Sequence, residues 1–66
     1  LRMMVDVQEV RRALVARLVA RFRRNTLQFL PPEENPRFLA DPAGYIENAW
    51  SRELDDVSEI LTELQG

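Results

Sequence analysis

The side chains of this sequence that could act as nucleophiles are Ser51, Ser58, Thr26, Thr62 and Tyr45. A hydroxyl becomes a nucleophile when a general base lies within hydrogen-bond reach, and histidine is the usual one. The chain contains no histidine, no cysteine and no lysine. No recognisable motif sets a carboxylate beside any of these hydroxyls. The adjacent carboxylates Asp55-Asp56 and Glu33-Glu34 would point apart on a helix, which turns by about 100° per residue. Di-iron sites in helical bundles need Glu-x-x-His, and zinc sites need the Cys or His that the chain lacks. A phosphate-cradling loop needs closely spaced glycines, and only Gly44 and Gly66 are present. Catalysis is therefore not expected, and no metal, cofactor or catalytic residue is assigned.

What remains is the chemistry of arginine against carboxylate. The first 24 positions hold Arg2, Arg11, Arg12, Arg17, Arg21, Arg23 and Arg24 against only Asp6 and Glu9. After position 32 the balance reverses. Arg37 and Arg52 stand against Glu33, Glu34, Asp41, Glu47, Glu53, Asp55, Asp56, Glu59 and Glu63. A formal net charge of −2 thus hides a basic front and an acidic back. Such a chain folds back on itself, binds a copy of itself, or presents one half to something else.

The elements that must carry these charges are helical. Val5 to about Phe29 reads as one long helix, with Asp6 as N-cap and Glu9 three residues on, as in a capping box. Its interior has no Gly or Pro and repeats Leu-Val-Ala-Arg at 14–17 and 18–21, which stacks like residues in rows. Val7, Val10, Leu14, Val15, Leu18, Val19 and Phe22 cover an arc of roughly 180° at helical spacing. That is wider than one neighbouring helix needs. Leu30-Pro31-Pro32 stops the helix and begins a connection that runs to about position 41.

Asn35-Pro36 and Asp41-Pro42 each read as an N-cap followed by proline at the first helical position. The first would open a single turn, the second the last helix. Phe29, Leu30, Phe38 and Leu39 are expected to plug the end of the helix pair. Pro42 to about Leu64 reads as the second long helix, closed by Gly66. Trp50, Leu54, Val57, Leu61 and Leu64 form a 4-3-4-3 seam along it. Two helices of equal length and a compact connection imply an all-α antiparallel hairpin.

In that hairpin Arg24 falls near Glu47, Arg17 near Glu53 and Leu54, Arg12 near Glu59, and Arg21 over Trp50 as a cation–π pair. Arg11 projects near the centre of the apolar arc. Its stem would lie along the core with the head in water, or its head would form a buried pair with a carboxylate such as Glu53 or Asp56.

At 66 residues the chain is a single domain with a marginal core and no disulfide to support it. Self-association supplies what the core lacks. The expectation is a homodimer in the form of a four-helix bundle, or a complex with a partner protein, with Val10, Leu14, Leu18, Phe22, Trp50, Leu54, Val57 and Leu61 at the interface. Its role would be that of an accessory or regulatory subunit, of the antitoxin or anti-activator kind. The alternative is a nucleic-acid-binding regulator that uses Arg12, Arg23 and Arg24 as anion contacts. A sequence pI near 5.0 weighs against it, as does the scarcity of polar base-reading side chains beyond Asn25, Thr26 and Gln28. A membrane surface is not expected either, because the acidic second helix opposes anionic lipid and no apolar run approaches the roughly 18 residues of a spanning helix. The absence of cysteine fits the reducing cytoplasm. The first residue is Leu1 rather than methionine, as expected of a processed or trimmed piece.

Overall fold

A computed structural model describes residues 4–25 and 30–66. Every regular element among them is helical: α1 Val7–Arg24, a 3-10 turn Pro32–Glu34, α2 Asn35–Ala40, α3 Pro42–Ala49 and α4 Ser51–Gln65. The all-helical class agrees with the sequence, but four helices replace the two long ones. The body measures 47 × 19 × 18 Å, with a radius of gyration of 13.9 Å. A compact chain of this length would have about 11 Å. The molecule is therefore long and thin, with α1 packed against α3 and α4.

The start of α1 follows the sequence. The Asp6 carboxylate accepts hydrogen bonds from the N–H of Gln8 at 3.0 Å and of Glu9 at 3.3 Å. Its end comes earlier than expected. The helix stops at Arg24, where the N–H of Asn25 donates to the carbonyls of Arg21 and Phe22. Arg21, Arg23 and Arg24 occupy the last turn, where cations complement the helix dipole. The expected continuation through Thr26, Gln28 and Phe29 lies outside the described residues.

The two Asx-Pro signals part company. Asp41 is an N-cap, and its side chain accepts from the N–H of Gly44 at 3.1 Å. Asn35 is not. The 3-10 turn runs directly into α2, so Asn35 already has helical angles (φ −57°, ψ −43°) and Glu34 takes the cap position with no side-chain hydrogen bond. The Oδ1 of Asn35 is buried without a protein partner among the described residues.

The second long helix is broken at Trp50, whose φ of −114° and ψ of 25° leave the helical region. Trp50 N–H still donates to Ile46 and Leu54 N–H to Trp50, each at 2.9 Å, so the axis is offset rather than interrupted. No proline or glycine causes this. Packing does: Ile46 and Leu54 are both essentially fully buried. Eight residues of unbroken helix would place them about 80° apart in direction. The offset aims both at α1.

The core consists of Val15, Phe22, Leu30, Phe38, Ile46 and Leu54, with Leu14, Leu18, Val19 and Tyr45 partly buried against it. Phe38 sits between Phe22 and Tyr45, with ring centroids 5.9 Å from each. Leu30 and Phe38 thus plug the end of the helices as expected, but Leu39 does not, being 62% exposed. Within the chain the 4-3-4-3 seam of the acidic half is only partly covered. Only Leu54 is buried; Trp50 and Leu64 are exposed, and Val57 and Leu61 half-buried.

The expected charge pairs do not form. Arg24–Glu47, Arg17–Glu53 and Arg12–Glu59 are absent among the described residues, and Trp50 meets the edge of Phe22 at 6.1 Å rather than Arg21. The ion pairs belong to Arg11, whose partners are Asp55 at 2.9 Å and Glu47 at 3.9 Å, not Glu53 or Asp56. The Arg11 side chain is 19% exposed and reaches carboxylates of both α3 and α4.

Candidate interaction surfaces

Because the body is only two helices deep, both of its flanks are open, and the residues on each follow from helical spacing. Val15 and Phe22 set the core direction of α1. On one side of it lie Arg12, Ala16, Val19 and Arg23; on the other lie Val10, Leu14 and Leu18, spaced by four residues.

The first flank is a groove of about 520 Å³ between α1 and the start of α3. Its floor is Val15, Ala16, Val19, Pro42 and Ala43, and its banks carry Arg12 and Arg23 on one side and Asp41 and Glu47 on the other. The groove brings together two of the three arginines expected to meet an anion. The carboxylates of Asp41 and Glu47 face them, and an incoming phosphate would meet both signs of charge. Arg24 is not part of this groove. Further along, a smaller depression between α1 and α4 is lined by Val7, Gln8, Ser58, Glu59, Thr62 and Glu63, which adds two more carboxylates. In the groove, a nucleic-acid backbone would meet carboxylates beside the arginines that bind it.

The second flank is apolar. Val10, Leu14 and Leu18 of α1 and Val57 and Leu61 of α4 are half-buried. Beside them Trp50 is 37%, Ile60 54% and Leu64 77% exposed. Of the residues expected at an interface, six therefore retain exposed surface, whereas Phe22 and Leu54 are buried within the chain. The outer edges are charged. Arg17, Arg21 and Arg24 continue the surface of α1 beyond its apolar row, and Glu53 and Asp56 continue that of α4. All five are exposed, and none has an ion partner among the described residues.

Ser58 and Thr62 share the smaller depression, but their protons are committed elsewhere. Ser58 Oγ donates to the Leu54 carbonyl at 3.0 Å and accepts from Arg11 Nη1 at 3.4 Å. Thr62 Oγ1 donates to the Ser58 carbonyl at 2.9 Å. These protons serve the helix backbone. Thr26 lies outside the described residues. Burial raises the pKa of the Tyr45 phenol, the Glu34 carboxylate adds to the rise, and the Arg37 guanidinium opposes it. Such a phenol stays protonated at neutral pH. Among the described residues no cluster of three or more acidic side chains is placed to hold a metal ion, and no helix is long and apolar enough to cross a membrane.

Sequence reasoning offered a carboxylate partner for Arg11 as one of two readings and set Val15 within the apolar arc, but it did not single out Asp55 and Glu47 or the burial of Val15 ahead of Leu14. One signal was available: Val15 and Phe22 are seven residues apart and so share a direction on a helix. No protein-family model, curated protein or solved structure matches the chain.

Proposed function

We propose that this chain is a protein–protein interaction module that pairs with a second copy of itself. Its two halves form an antiparallel hairpin, and two hairpins join through their apolar flanks as a four-helix bundle. The reading is carried by one observation: the apolar rows of α1 and α4, which helical spacing sets on the same flank, are half-buried or exposed, and the charged residues beside them have no ion partner among the described residues. The hydrogen bond from Val5 N–H to Gln65, the Arg11–Asp55 pair and the Phe22–Trp50 contact support the antiparallel arrangement.

The energetics favour pairing. A chain of this size buries only about 60% of the surface its unfolded form exposes. Each apolar side chain covered by a partner adds on the order of 1.5–3 kcal/mol when buried completely. An assembly built in this way has no chemistry of its own. It suits an accessory or regulatory subunit, of the antitoxin or anti-activator kind, working in a reducing compartment such as the cytoplasm.

The mass in solution tests the proposal, by light scattering or native mass spectrometry at micromolar concentration. A dimer is expected. A folded monomer throughout that range would overturn self-association.

A further inference from the structure

We infer that the two copies are related by a twofold axis parallel to the helices, which lays α1 of each copy on α4 of the other and sets Arg17 opposite Glu53 of the second copy. The inference rests on the self-association proposed above and specifies its geometry.

The argument starts from heights along the hairpin. Arg11 is level with the turn from Asp55 to Ser58, and Phe22 with Trp50, as their contacts show. Between these two levels Arg17 falls within one helical turn of Glu53, and Arg21 beside Trp50. Arg17 and Glu53 are thus within reach of one another in height, yet they do not pair within the chain. Helical spacing explains why: Arg17 lies on the outer edge of α1 and Glu53 on the outer edge of α4, with the apolar strip between them. The flank is therefore striped along its length, arginine on one edge, apolar in the middle, carboxylate on the other.

Two closed twofold arrangements can bury this strip face to face. With the axis perpendicular to the helices, α1 packs on α1. Arg17, Arg21 and Arg24 of one copy then face the same arginines of the other, and the acidic edges meet likewise. With the axis parallel to the helices, heights are preserved and the helices exchange places. Arg17 and Arg21 then face the Glu53 and Asp56 turn of the second copy, and the level that Arg17 shares with Glu53 becomes a contact between copies. Arg21 comes within a helical turn of the same Glu53. Like charges in register disfavour the first arrangement, and opposite charges select the second.

Charge exchange between copies tests this. Arg17→Glu and Glu53→Arg are made separately, together in one chain, and mixed as two singly substituted proteins. Each single variant sets like charges against each other twice per dimer, so its dimer dissociation constant should rise by about tenfold or more. In an equimolar mixture both contacts become opposite again, and native mass spectrometry should find the heterodimer well above the statistical share. The doubly substituted chain should recover homodimerisation. Arg12→Glu has the same net charge change on the other flank, and it should neither weaken the dimer nor form a preferred heterodimer with Glu53→Arg. Circular dichroism checks that each variant keeps its helices, as expected at exposed positions. A wild-type dimer whose single variants are unimpaired, or whose mixture shows no preference, would overturn the parallel-axis geometry and leave self-association standing. Recovery in the double variant but not in the mixture would place the pair within one chain and overturn it equally. A wild-type monomer would remove self-association itself.

Discussion

Arg11 donates from Nη1 to Asp55 Oδ1 at 2.9 Å, across 44 residues of sequence. The same nitrogen reaches Ser58 Oγ, and Nε lies 3.9 Å from Glu47, so one guanidinium ties α1 to both α3 and α4. The two ends differ in environment: the Arg11 side chain is 19% exposed and that of Asp55 68%. An exposed carboxylate makes a screened pair, so Asp55→Ala should cost no more than about 1 kcal/mol. Arg11→Met keeps the stem in place and removes the partly desolvated charge, and it should be neutral or slightly stabilising. Urea unfolding of both variants checks this. A loss above about 3 kcal/mol for Arg11→Met would show that the charge itself holds the helices together.

Asn35 and Asp41 look alike in sequence, each before a proline, but only Asp41 caps. Asp41→Ala should cost about 1 kcal/mol. Asn35→Ala removes a buried carbonyl oxygen that has no protein partner among the described residues and should be neutral or stabilising. Thermal unfolding of the two variants should separate them, and equal losses would contradict the assigned caps.

Gly44 is the third residue of α3, and a methyl group there would come within 2.1 Å of Asp41 Oδ2 and 2.7 Å of its Cγ. Gly44→Ala therefore displaces the cap. The usual gain of about 1 kcal/mol from replacing a helical glycine should be cancelled. In an Asp41→Ala background the obstacle is gone and the gain should return. A double-mutant cycle measures the coupling, and additive effects would mean that Asp41 moves aside without loss.

Phe38 and Leu39 are neighbours with opposite fates, one fully buried and the other 62% exposed. Phe38→Ala should cost about 3–5 kcal/mol, comparable with the whole stability of a domain this small, and should abolish cooperative unfolding. Leu39→Ala should stay within about 0.5 kcal/mol. Near-ultraviolet circular dichroism and urea titration distinguish them.

Tyr45 has its pKa raised above the ordinary 10.0, chiefly by burial. The folded state therefore holds the phenolic proton more tightly than the unfolded one. This contribution is intact below pH about 10, where both states are protonated, and is lost as the pH rises through the folded-state pKa. Stability should decline through the alkaline range, and Tyr45→Phe should remove part of that decline. An alkaline loss unchanged in the variant would assign it to other groups.

The sequence by itself determined the helical class, because hydrophobic residues recur at helical spacing and prolines punctuate the segments at 31–32, 36 and 42. It also located the caps at Asp6 and Asp41, which depend on neighbours within three residues. The apolar and charged rows on each helix were likewise legible, since periodicity alone fixes them. Local pattern does not decide which part of a wide apolar arc faces inward. Val15 rather than Leu14 became core, and the acidic helix broke at Trp50 to bury both Ile46 and Leu54. Charge pairing was likewise decided by the fold. The pair expected between Arg17 and Glu53 is absent, because a pair needs both side chains on the same edge as well as at a similar height. Only the packed helices reveal that Arg11 reaches carboxylates within the chain and Arg17 does not.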